Sequence, residues 1–190
     1  MSRIIAGLAG SIRLAPAASG TRPTSDRLKE SLFSQLENLG AVEDARVLDL
    51  FAGSGALGLE AISRGAASLT GIEKNRPALE VCLRNAASVG SALNTAGKRP
   101  PIEFKLGDAF SYAGSTTKEF DLVLLDPPYD LDVEKVESLL KLLIGILSEE
   151  GLIALEQSAK VQIATPDGLA LVSNKNYGDS AIWLFRGNAH

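Results

Sequence analysis

From Arg46 onward, short continuous apolar runs alternate with stretches in which apolar positions recur every three or four residues. The runs are RVLDLF (46–51), SLTGIE (68–73), IEFKL (102–106), DLVLLD (121–126) and GLIALEQ (151–157). They are too short and too evenly apolar for surface helices, so they predict strands buried on both faces. Between them, Leu79, Cys82, Leu83 and Ala86 follow the i, i+3, i+4, i+7 spacing of an amphipathic helix, with Asn75 and Gly90 as its caps. Val133, Val136, Leu139, Leu140 and Leu143 predict another helix, and Leu57, Ala61 and Ile62 a shorter one closed by Gly65. Strand–helix alternation of this kind predicts a parallel sheet covered by helices on both faces.

The two ends break the pattern. LALVSNKNYGDSAIWLFR (169–186) is two β-rich runs around Asn-Tyr-Gly-Asp and predicts a terminal hairpin, giving seven strands in total. Upstream, Leu28, Leu32, Leu36 and Leu39 share one helix face from a start near Thr24 or Ser25 to Gly40. Residues 3–20, with Gly7, Gly10, Pro16 and Gly20, suggest a small hairpin or arm. The expected division is therefore an arm over 1–21 and one main domain over 22–190. The polar stretch 88–101, ending in Pro-Pro, is expected to be a surface loop.

Composition narrows the classes little: 45% hydrophobic and 22% charged residues in 190 suit one globular domain with a real core. A lone cysteine, Cys82, excludes an internal disulfide framework, and no apolar run reaches the ~20 residues that span a bilayer. A cytoplasmic protein without a signal peptide or membrane contact is expected, and a monomer. One cysteine and a terminal histidine, His190, offer no zinc site, so no metal is expected. The net charge of −4 argues against a uniformly basic nucleic-acid-binding surface. Residues 1–30, however, set five positive side chains (Arg3, Arg13, Arg22, Arg27, Lys29) against two negative ones (Asp26, Glu30). That excess reads either as a solvated face or as a local site for phosphate.

Two motifs carry chemistry. Asp49-Leu-Phe51-Ala-Gly53-Ser-Gly55-Ala-Leu-Gly58 lies where the first strand turns into a helix, and its glycines let a ligand approach bare peptide groups at a helix N-terminus. Glu73, 20 positions after Gly53 at the end of the next strand, has the spacing of a carboxylate that meets ribose hydroxyls. This geometry serves both NAD and S-adenosylmethionine. Asp49 leans toward the latter, since a carboxylate opposes a pyrophosphate but suits a cationic amino group.

Asp126-Pro127-Pro128-Tyr129 follows the fourth strand, at the sheet edge where ligands of open α/β folds bind. An aromatic amine is a poor nucleophile because its lone pair is delocalised into the ring. Acceptors at the Asp126 carboxylate and the Pro127 carbonyl would orient both N–H groups and localise that lone pair. Paired prolines fix the backbone, and Tyr129 offers a flat face for a flipped base.

Together these motifs resemble the amino-group methyltransferases whose motif reads Asp/Asn/Ser-Pro-Pro-Tyr/Phe. RIIAG near the start and TRPTSDRLKESLF (21–33) make the chain similar to the bacterial 16S ribosomal RNA (guanine-N2)-methyltransferase, RsmD-like family, from about residue 3 to the terminal hairpin. The resemblance implies an α/β, Rossmann-like class I S-adenosylmethionine-dependent methyltransferase fold: a seven-stranded, mostly parallel sheet, a C-terminal antiparallel hairpin and a small N-terminal arm. It implies S-adenosylmethionine as cofactor and 16S rRNA, in a small ribosomal subunit or its assembly intermediate, as partner. By position, Asp49, Phe51, Gly53 and Gly55 would hold the methionine end and Glu73 the ribose. Asp108 with Ala109 would meet the adenine, although Asp108 also reads as a helix N-cap. Thr24 and Arg27 would close over the cofactor or target base, and Arg3, Arg13, Arg22 and Arg27 would contact RNA. Asp126, Pro127 and Tyr129 would be catalytic. The rival readings are a DNA adenine-N6 or protein-glutamine methyltransferase, a non-catalytic RNA-binding assembly factor, and an NAD-dependent oxidoreductase. Trp183, Phe185 and Cys82 are expected to be core residues.

Overall fold

The computed structural model describes residues 2–16 and 25–188, so Arg22, Thr24 and His190 lie outside the described residues. After the arm come helix α1 (Asp26–Asn38), strand β1 (Arg46–Asp49), α2 (Ala56–Ser63), β2 (Ser68–Glu73), α3 (Arg76–Thr95) and β3 (Ile102–Leu106). The second half runs α4 (Ala109–Ala113), β4 (Phe120–Leu125), α5 (Val133–Ile144), β5 (Leu147–Ser158), β6 (Leu169–Tyr177) and β7 (Ser180–Gly187). The strands form one seven-stranded sheet in the order β3-β2-β1-β4-β5-β7-β6. β1 to β5 are parallel, and β7 runs antiparallel between β5 and β6.

Strand alternation divides the core in two. Val47, Leu69, Leu122, Leu124 and Ala154 pack with α1, α2, α3 and the arm, whereas Leu48, Leu50, Val123, Leu125, Ile153 and Leu155 pack with α4 and α5. Both faces are covered, which is why these strands are continuously apolar. The arm is a short antiparallel turn with Arg3 opposite Arg13, and its Ile4, Ala9 and Leu14 are buried in the first core.

Three expectations are corrected. α3 does not stop at Gly90: it continues to Thr95, so most of the expected 88–101 loop is helix and only 96–101 is irregular. Val89 and Leu93 carry the buried stripe of Cys82 onward, while Leu83 is exposed. An interior glycine lowers helix stability by only about 1 kcal/mol, less than burying those two side chains contributes. β5 begins at Leu147 rather than 151, because Leu147 pairs with Phe120. Lys29, counted with the basic surface, is fully buried.

That burial follows from one carboxylate. Glu60 of α2, itself buried, accepts hydrogen bonds from Ile5 N (2.7 Å), Ala6 N (3.1 Å) and Arg64 Nε (2.7 Å), with Lys29 Nζ at 3.7 Å. Lys29 Nζ also donates to the Arg3 carbonyl. Arm, α1 and α2 are thus tied through one buried charge cluster, which satisfies groups that would be unfavourable to bury unpaired.

Candidate active site

The strand order reverses between the parallel neighbours β1 and β4, the point at which open α/β folds build their ligand crevice. Asp49 ends β1 on one side of it. Leu124, its partner on β4, lies two residues before Asp126, roughly 7 Å along the strand. On the other flank Leu125 pairs with Leu155, so continuing that register sets Asp126 alongside Glu156 of β5. Glu73 ends β2, and Asp108 follows β3. The topology therefore gathers Asp49, Glu73, Asp108 and Asp126 at one sheet edge, although up to 77 residues separate them in sequence.

The loop after β1 is held by its neighbours. Leu50 N donates to Leu124 O (3.2 Å) and Ala52 N to Ile72 O (3.1 Å), fixing Phe51 half-buried against the α4/α5 core. Gly55 has φ +78°, and a Cβ there would lie 2.8 Å from Phe104 Cζ. At Gly58 a Cβ would come within 2.6 Å of Leu69, so this glycine sets the close approach of α2 to β2.

Asp49 is 1% exposed. Its Oδ2 accepts from Gly58 N (3.1 Å), whereas buried Oδ1 has no hydrogen-bond partner. Burial, opposed by the Gly58 and Phe51 backbone N–H groups and reinforced by the nearby charge of Glu73, pushes the Asp49 carboxyl up to about 7. Glu73 is engaged from within: Oε2 accepts from Gly53 N (2.8 Å) and Oε1 from Asn75 N (2.7 Å). Asp108 caps α4 by accepting from Ser111 N (3.0 Å), with Ala109 buried behind it.

At the β4 end Asp126 is half-buried, Pro127 buried and Pro128 exposed. Leu131 N donates to Pro128 O (2.9 Å) and closes the turn. The Tyr129 hydroxyl lies 2.6 Å from Ser180 Oγ and 3.2 Å from Glu156 Oε1. Burial of that end, with the Glu156 charge beside it, raises the Tyr129 phenol despite the opposing Ser180 bond.

One further residue at this edge, Asn85, was not singled out from the sequence, and Cys82 joins it there. Asn85, buried on α3, donates to Ser54 O (2.8 Å) and Ala15 O (3.0 Å) and accepts from Ala15 N (2.9 Å), joining the arm's end to the glycine loop. Cys82 Sγ donates to Gly53 O at 3.2 Å, and burial raises its thiol, in keeping with an inert core cysteine. A signal for Asn85 existed: it is an amide three positions after Cys82, on the apolar helix face.

Of the expected RNA contacts, Arg3, Arg13 and Arg27 are exposed, and Arg3 pairs with Asp26 at 3.3 Å. Trp183 and Phe185 are core residues, stacked at 6.3 Å. Two cavities of about 310 and 290 Å³ lie away from this edge, and no candidate site residue lines either. Among the described residues no cluster of three or more His, Cys, Asp or Glu is placed to hold a metal, and no helix is long and apolar enough to cross a membrane.

Strand order, the inserted antiparallel β7 and the carboxylates at the β1 and β2 ends define a class I S-adenosylmethionine-dependent methyltransferase fold. Comparison with known proteins agrees. The family model described as "Conserved hypothetical protein 95" matches residues 2–186, and the chain belongs to that family, the RsmD family. Ribosomal RNA small subunit methyltransferase D of Escherichia coli strain K12 is 35% identical over 157 residues, covering 83% of this chain and 71% of its own. The solved structure of the Escherichia coli protein yhhF superposes with a TM-score of 0.81 at 34% identity, covering 100% of this chain and 99% of that one. A more distant structure, SMU.776 complexed with SAH, shares the fold alone, with a TM-score of 0.63 at 15% identity, covering 84% of this chain and 48% of that one.

Proposed function

We propose that the chain transfers a methyl group from S-adenosylmethionine to the exocyclic N2 of a guanine in 16S rRNA, within a small ribosomal subunit or its assembly intermediate. The observation that carries this reading is Asp126-Pro127-Pro128-Tyr129 at the β4 end, across the reversal of strand order from Asp49. The names of the relatives support ribosomal RNA as substrate, and the motif supports an amino group as acceptor. The same reading takes the protein to be a monomer that works in the cytoplasm.

The residues present fit the cofactor. An unpartnered, buried Oδ1 on Asp49 matches the cationic amino group of a methionine moiety, and the Gly53–Gly55 turn leaves room beside it. Each Glu73 oxygen accepts one N–H and retains a lone pair for a ribose hydroxyl. Asp108 and Ala109 border the adenine position, with Phe51 on the methionine side. Thr24 and Arg22 belong to the same reading but lie outside the described residues.

When bound, the cofactor would supply an electrophilic methyl on a sulfonium, whose carbon–sulfur bond would break as the carbon–nitrogen bond forms, the amine's extra proton leaving to water. The protein's part is orientation. Asp126 and the Pro127 carbonyl hold the two amine hydrogens, and the Tyr129 ring stacks on the base. Arg3 and Arg13 stand opposite each other across the arm, both exposed, with Arg3 paired to Asp26. With Arg27 exposed on the adjoining helix, they offer cations to a phosphate backbone.

The test uses methyl-labelled cofactor, ribosomal subparticles from cells lacking the endogenous activity, and mass spectrometry of the nucleosides. N2-methylguanosine is expected. Asp126→Ala should lose at least about 10² in rate while calorimetry shows cofactor affinity preserved. N6-methyladenosine, an unlabelled RNA or wild-type turnover in Asp126→Ala would overturn the assignment.

A further inference from the structure

Tyr129 is divided between two environments. The residue is 38% exposed at the proposed catalytic edge, while its hydroxyl meets a polar pair that is buried, Glu156 on β5 (8% exposed) and Ser180 on β7 (6%). The three groups form a triangle: Tyr129 Oη to Ser180 Oγ 2.6 Å, Tyr129 Oη to Glu156 Oε1 3.2 Å, Ser180 Oγ to Glu156 Oε1 3.2 Å. With the carboxylate ionised, one hydroxyl donates to Glu156 and the other donates to that hydroxyl, so both protons are used in either arrangement.

This anchor depends on the hairpin. Gly178 (φ +65°) occupies the first place of a two-residue turn, a place that favours glycine, and the turn brings Ser180 opposite Tyr177. Because β7 is antiparallel to β5, its first residue lies at the carboxyl end of the parallel strands, opposite Ser158. Glu156 and Ser180 also share strand parity with Ala154 and Ile182, whose side chains belong to the same core. An element distant in sequence from the Pro-Pro turn thus supplies half of the anchor.

We infer that Glu156 and Ser180 are positioning residues for methyl transfer: they hold the Tyr129 ring as a fixed face for the target base, so the C-terminal hairpin helps set how the base is presented to Asp126. The inference rests on the base-methylation reading above. Without the anchor the ring, on a turn outside the helices and strands, is free to rotate away, and a base must be ordered together with its platform.

The test is a double-mutant cycle in steady-state methylation of ribosomal subparticles, with wild type, Ser180→Ala, Tyr129→Phe and the double variant. Ser180→Ala should lower kcat/KM for RNA by about tenfold or more, with cofactor Kd unchanged, and should have little further effect when Tyr129 is already Phe. Glu156→Gln, which keeps an acceptor oxygen, should lose less than Glu156→Ala. Equal Ser180→Ala losses in both backgrounds, or wild-type kinetics in both single variants, would overturn the inference. As a readout independent of turnover, 3-fluorotyrosine incorporation gives a fluorine resonance for Tyr129, assigned with Tyr129→Phe; it should shift and sharpen in Ser180→Ala, and an unmoved line refutes the anchor. If wild type transfers no methyl while that line still responds, the base-methylation reading fails, and with it the purpose given to the anchor. If wild type is active and Ser180→Ala is indistinguishable from it, the anchor alone fails.

Discussion

Replacing Asp49 by Asn should stabilise the cofactor-free protein and weaken its hold on the cofactor, and both effects should depend on pH. The Asp49 carboxyl is raised from 3.8 to about 7, chiefly by burial, with one oxygen unpartnered. The folded state therefore prefers the protonated form. Below about pH 4 both folded and unfolded chains hold that proton and nothing is lost. From there to about 7 the unfolded chain has released the proton and the folded chain has not, so stability falls by roughly 1.4 kcal/mol for each pH unit. Above about 7 the loss is complete, on the order of 4 kcal/mol out of the 5–15 typical of a domain. Between pH 5.5 and 8 the wild type should fall by about 2 kcal/mol relative to Asp49→Asn. Urea unfolding of both proteins at the two pH values, without cofactor and with unchanged m-values, reads this directly. The same titration governs binding, because only the carboxylate attracts an ammonium group. From pH 7 down to 5.5, where the cofactor's amino group stays protonated, wild-type affinity should drop on the order of tenfold while the Asn variant stays weak and flat. A difference between the two proteins that is the same at both pH values would refute this account of Asp49.

Three further outcomes follow from other parts of the structure. Glu60→Ala should destabilise the fold by about 3–5 kcal/mol in denaturant titration, because it leaves Lys29 and Arg64 without their shared buried carboxylate and frees the arm's Ile5 and Ala6 N–H groups. Gly55→Ala should cost roughly 1–3 kcal/mol, since a left-handed backbone meets a Cβ close to Phe104, and Phe104→Leu in the same chain should recover part of that loss in thermal unfolding. Arg3→Ala with Arg13→Ala should weaken RNA binding and reduce its log–log salt slope by up to about two units, with cofactor affinity unchanged. Identical slopes would return these arginines to an ordinary solvated face.

The sequence by itself determined what local rules can encode. Strands β2 and β3 coincide with their runs and the hairpin with its β-rich pair; in β2 burial on both faces leaves no polar alternation to confuse the reading, whereas the edge strand β3 buries only Phe104. The Gly53–Gly58 turn and Asp126-Pro127-Pro128-Tyr129 were legible for a related reason: glycine and proline restrict the backbone where they stand, so their place at strand ends can be read without knowing the neighbours. What only the tertiary structure decided involves groups whose energies depend on distant partners. Gly90 reads as a helix stop, yet α3 passes through it because Val89 and Leu93 find a core to enter. Lys29 counts as surface charge until Glu60, 31 residues later, neutralises it in the interior. Glu73 reads as a ribose acceptor, but its carboxylate also ties Gly53 N and Asn75 N, and Asp49 becomes a carboxyl that titrates near neutrality only because folding removes its water. Tyr129 is legible as an aromatic at a strand end, but its anchor comes from β5 and β7. Local propensity is set by each residue and its immediate neighbours, whereas desolvation and charge pairing are set by whichever residues the sheet topology brings together.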